Sequence, residues 1–164
     1  MVSMFFSMED FLYFPAFSSL ITYYIFNSKG IDYRMVSLGS LLPISIDLAI
    51  GHPSLGHSFL FPVAALILIM LITIGRSRML RRQLLCIVIG IFLALVLEGS
   101  FLHEQMWWWP SQLRANEESL ALFPSTLIWI VRDAIGLIAL YVLFSIGELY
   151  KKEKRSEFFS TGRI

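Results

Sequence analysis

Six side chains able to bind a metal or move a proton cluster beside apolar runs in this chain. Asp47, His52 and His57 lie within "LLPISIDLAIGHPSLGHSF", Leu41 to Phe59, and Glu98, His103 and Glu104 lie within "LEGSFLHE". Neutral imidazole nitrogen and carboxylate oxygen are the ligands a divalent ion such as zinc takes when they converge on one point. A carboxylate in the same place can instead serve as general base. Asp47, His57 and Glu98 form the candidate ligand set, with Asp47 and Glu98 also the candidate catalytic carboxylates. His52, His103 and Glu104 are accessory candidates. Spacing alone leaves a second reading open. No His-Glu-x-x-His pair marks one helical face. Glu98 and His103 are five apart and diverge on a regular helix. Polar residues wetted at the headgroup level of a bilayer would have the same composition.

The elements that must position these groups are greasy. Of the residues, 57% are hydrophobic, and mean hydropathy is +0.72. Unbroken runs such as "VAALILIMLITI" (Val63–Ile74) and "LLCIVIGIFLALVL" (Leu84–Leu97) approach, with their flanks, the ~20 residues that cross a hydrocarbon core. They do not alternate, which argues against a β-barrel. The sequence therefore predicts an all-α, polytopic transmembrane bundle of about five spans. These run from about 11 to 26, 33 to 48, 58 to 74, 84 to 102 and 124 to 150. Residues 1–150 form one transmembrane domain with an outer loop at about 103–122, and 151–164 form a basic cytoplasmic tail. A net charge of +1 carries no nucleic-acid signature. The one cysteine, Cys86, has no internal partner for a disulfide. The first residues lack a basic n-region and carry Glu9 and Asp10, so a cleaved signal peptide is not expected.

Charge sets the orientation. Lys29 and Arg34, then Arg76, Arg78, Arg81 and Arg82, then Lys151, Lys152, Lys154 and Arg155 follow the first, third and fifth segments. Basic loops stay cytoplasmic. All three fall on one side if the N-terminus is out and the C-terminus in. The six candidate site residues then share the outer side with "MWWWP" (Met106–Pro110), whose tryptophans suit the headgroup layer. Arg132 and Asp133 lie inside the fifth segment, about eight residues or ~12 Å below its outer end. Ionisable groups at that depth face a bundle interior with a partner. They are either a structural pair to neighbouring helices or, since a guanidinium fork suits oxyanions, a holder of Asp47, Glu98 or a substrate phosphate.

"GSLLPISID", "GHSFLF", "GIFLALVLEG" and "WWWP", in that order, resemble the bacterial membrane-bound metal-dependent hydrolases, which are distantly similar to zinc-dependent phospholipases C and single-strand nucleases. The resemblance covers about 32–110, and "TGRI" at 161–164 resembles endings in one branch of the family. It implies an inner-membrane, multi-pass protein with a divalent metal, zinc foremost. It also implies a phosphoester or lipid-headgroup substrate at the outer membrane face, and the lipid bilayer as partner. The family pattern Leu-Pro-Asp-x-x-Asp puts its second Asp on Asp47 and its first on Ile44. The His before Ser falls on His57. The pattern His-x-x-x-Asp falls on Ala94 and Glu98. Ile44 and Ala94 offer no ligand atom, so the set reduces to Asp47, His57 and Glu98. Three ligands suffice in number for a catalytic zinc with an open position. The alternatives are a degenerate, non-catalytic binding or structural membrane protein of the same family and, less in keeping with the absence of inverted repeats, a small transporter.

Overall fold

The computed structural model describes residues 12–28, 30–50, 58–99 and 126–163, with backbone only at 47, 48, 50 and 126–130. The described elements are α1 (Tyr13–Phe26), α2 (Tyr33–Ile50), α3 (Leu60–Ile72), α4 (Arg78–Glu98), α5 (Thr126–Ile146) and α6 (Lys152–Thr161). No strand occurs among the described residues, so the chain is all-α there. Leu, Ile, Phe and Ala dominate the first five, and their ends follow local chemistry. Asn27 stops α1 in the left-handed region, its N–H donating to the Tyr23 carbonyl. Ser77 starts α4 by accepting from the Leu80 N–H. The expected fourth segment therefore begins earlier than its apolar run: Arg78, Arg81 and Arg82 are helical, not loop. The fifth stops at Ile146 and the chain turns through Glu148, whose φ is 48°.

Side-chain pairs give the directions. Ser19 and Ser37 hydroxyls meet at 2.9 Å and the rings of Tyr23 and Tyr33 at 6.4 Å, so α1 and α2 are antiparallel. Phe59 packs edge-on to Phe92 at 6.0 Å while Arg81 donates to the Thr73 carbonyl, so α3 and α4 are also antiparallel. The pair α2 and α4 is parallel. Gly30 lies against Arg82 near both N-termini, and further along Gly39 and Gly90 let the two backbones touch. A Cβ at Gly39 would fall 2.1 Å from the Ile87 carbonyl, and one at Gly90 2.1 Å from that of Val36. Finally, α5 packs on α1, with Gly136 beside Tyr13.

Small polar side chains fill much of the interior. Ser18, Ser19, Thr22, Ser40, Ser58 and Thr73 are buried beside Val36, Ile91 and Leu95. Several hydroxyls donate to carbonyls of their own helix, Thr22 to Ser18 at 2.6 Å and Thr73 to Ile69 at 2.7 Å, which satisfies those groups without a partner across the bundle. The outer surface is apolar: Ile67, Leu71 and Ile72 on α3 and Ile138 on α5 are each more than half exposed. One described helix, Arg78–Glu98, is long and apolar enough to cross a membrane, and Leu60–Ile72 is a shorter apolar helix. Pro43 lies within α2 and is buried.

The chain end forms part of this fold. Asp32 caps α2, its Oδ1 accepting from the Arg34 N–H at 3.2 Å. The Arg34 guanidinium grips both Asp32 oxygens and donates to the carbonyls of Phe159 and Ser160. Tyr33 N–H donates to the Gly162 carbonyl at 2.8 Å. Residues expected as a tail thus form a helix docked on the start of α2.

Candidate functional site

Helix register decides which candidate residues share an end of the bundle. Asp47 lies eight residues beyond Gly39 on α2, and Glu98 eight residues beyond Gly90 on α4. Since the helices are parallel and touch at those glycines, both positions lie ~12 Å past the same crossing. Ser58 and Phe59, which follow His57 in sequence, begin the descent of α3, and Phe59 meets α4 at Phe92. The backbone therefore brings Asp47 and Glu98 to one end. Glu98 closes α4 and is half-buried. The Asp47 side chain, and all of His52, His57, His103 and Glu104, lie outside the described residues, as does the tryptophan run. Among the described residues, no group of three or more His, Cys, Asp or Glu side chains is placed to hold a metal. Of the two family positions without a ligand atom, Ala94 is 4% exposed, packed in the core of α4, and Ile44 is half-buried.

Arg132 lies in α5 toward the same end. Its guanidinium carbon stands 4.8 Å from the centre of the Tyr13 ring and 5.4 Å from that of Phe14. The cation rests on the negative faces of two rings at the start of α1. Its neighbour Asp133 carries a buried Oδ1 with no hydrogen-bond partner among the described residues. The sequence singled out both residues, but the aromatic seat of Arg132 was not expected. Its signal is "YF" at 13–14, a pair also read as ordinary span composition.

The opposite end gathers the basic segments. Arg82 of α4 lies against Gly30, Arg34 of α2 binds the carbonyls at 159–160, and Arg163 follows α6. Sequence reasoning placed these charges on one side but missed that Arg82 and Arg163, with Asp32, line a cavity. Asp32, directly before a helix start, was the available signal, since that residue type commonly caps. Comparisons with family models, with characterised proteins and with solved structures return no match for this chain.

Proposed function

We propose that the chain is a five-span protein of the bacterial inner membrane, N-terminus out, whose outer end carries a hydrolase-type metal site formed by Asp47, His57 and Glu98. The observation that carries this reading is the equal height of Asp47 and Glu98 on two parallel helices, at the end away from the basic segments. Apolar side chains face outward while serines and threonines face in, the arrangement of a bundle dissolved in lipid. The helix directions alternate as successive spans require, and the arginine-rich segments share one end, as cytoplasmic loops do. The donor set suits the role in number and type, one imidazole and two carboxylates. Zinc held there would supply a water activated near neutral pH. Asp47 and Glu98 would orient it and accept its proton, and Arg132, with Asp133 beside it, would line the approach. The substrate class is a phosphoester, a lipid headgroup foremost.

A second reading is a binding protein of the same architecture without metal. The burial of Ala94 in the core favours it, since that position has no route to a ligand. Zinc titration of the purified chain separates the two. The hydrolase reading expects one zinc per chain, lost in His57→Ala and in Glu98→Gln. Failure of the wild type to retain zinc after incubation and gel filtration leaves the binding reading in place.

A further inference from the structure

At the end of the bundle opposite Asp47 and Glu98, a cavity of about 150 Å³ opens among Gly30, Asp32, Arg82, Gln83, Thr161 and Arg163. A cavity of that volume takes one benzene-sized molecule. It admits a phosphate group and excludes a drug-sized ligand of ~300 Å³ or more. Its electrostatics are uneven. The Asp32 carboxylate is engaged on both oxygens by Arg34, at 3.2 and 3.1 Å, and is buried. It therefore does not pair with the other cations of the cavity. The guanidinium groups of Arg82 and Arg163 make no hydrogen bond or ion pair among the described residues. Gln83 adds an amide donor. The missing side chain of Gly30 leaves room for Arg82: a Cβ there would lie 2.9 Å from its Nη1. Arg82, an exposed residue, and Arg163, both unengaged, line one phosphate-sized space together with Gln83, and a guanidinium fork matches phosphate oxygens in pairs.

We infer that this cavity is an anion site for a phosphate group, held by Arg82 and Arg163. The group comes from a lipid headgroup or from free phosphate. The lipid source rests on the proposed topology, which puts the cavity at the cytoplasmic headgroup level, where basic pockets between helices bind anionic headgroups. The site itself is independent of the metal reading.

The test uses the full chain purified in neutral detergent, with thermal unfolding followed at fixed ionic strength. Inorganic phosphate, phosphatidylglycerol and phosphatidylcholine are added separately. Phosphate or phosphatidylglycerol is expected to raise Tm in a saturable way, phosphatidylcholine much less. Arg82→Gln and Arg163→Gln should each weaken the apparent affinity about tenfold or more, while Arg78→Gln, on the same helix but outside the cavity, should leave it unchanged. A response to phosphatidylglycerol alone identifies the lipid source, and a response to inorganic phosphate identifies a soluble one. If Arg82→Gln does not fold, Arg82→Lys with unaltered circular dichroism takes its place, since it keeps the charge and loses the fork. No response to either anion, or an equal loss in Arg78→Gln, overturns the site.

Discussion

At the scale of single residues, two positions separate what a side chain weighs from what it touches. Gly39 and Gly30 both sit beside α4, but a Cβ at Gly39 would meet backbone at 2.1 Å, whereas at Gly30 it would meet the far end of Arg82. Backbone cannot step aside and a side chain can. Gly39→Ala is therefore expected to cost about 1–3 kcal/mol or more by overpacking, and Gly30→Ala much less. Thermal unfolding of both variants in detergent checks the order, and equal stability would mean that the helices do not touch there. Arg132 gives the second contrast. With its guanidinium over Tyr13 and Phe14, Tyr13→Leu should lower stability by about 0.5–2 kcal/mol. Phe14 should partly compensate, and in an Arg132→Ala background the Tyr13 substitution should cost less. A double-mutant cycle reads this directly, and strict additivity would show that ring and cation are uncoupled. The sequence made legible that Arg132 lies within a long apolar helix. It could not reveal the aromatic partner, because a Tyr–Phe pair more than a hundred residues away looks like any other part of a span.

At the scale of elements, the docking of α6 is the part the sequence concealed. "KEKRSEFFST" has no apolar stripe of helical period, and its charges read as a solvated tail. What holds it is polar and non-local: carbonyls at 159, 160 and 162 received by Arg34 and Tyr33. Gly162 makes this close packing workable, with φ of 72° and no side chain where Asp32 Oδ1 would be 1.8 Å away. Gly162→Ala is expected to undock the helix while leaving the bundle folded. Trypsin cutting after Lys152, Lys154 or Arg155 should accelerate in this variant with no large fall in Tm. Arg34→Ala should do more harm. It strips the partner from a buried carboxylate, a loss of about 3–5 kcal/mol where the site is dry. A wild-type Tm in Arg34→Ala would show that Asp32 is solvated.

At the scale of the whole molecule, the hydrophobic runs made four of the six described helices legible within about four residues, and α4 within six, because each apolar run forms a helix. The partners of each helix were not legible, since Gly39 and Gly90 carry no sign of facing each other. For the candidate site, Asp47 and Glu98 reach one end by register alone, while His57 lies outside the described residues. The topology has a direct test. Single cysteines at Ser77 and Ser156, in a Cys86→Ser background, should resist a membrane-impermeant thiol reagent in intact cells, and one at Ser111 should react. Labelling at 77 from outside would reverse the proposed orientation and place the proposed metal site on the cytoplasmic side.

Pro43 has a consequence of another kind. A proline has no N–H to give, so the carbonyl of Gly39, four residues earlier, loses its helical donor at the very point where α2 touches α4. Below that point the helix is clamped by α1, α4 and the docked chain end. Above it, the stretch bearing Asp47 continues beyond the lost Gly39 bond. The two halves should differ in how often their backbone amides open to solvent. In hydrogen–deuterium exchange, amides near 44–47 should exchange faster than those near 35–39, and Pro43→Ala should slow the upper set selectively. A pivot there, with an arm of ~6 Å to position 47, would let this end of α2 shift by about an ångström, so that any ligand bound at the proposed site would also slow amide exchange near 44–47.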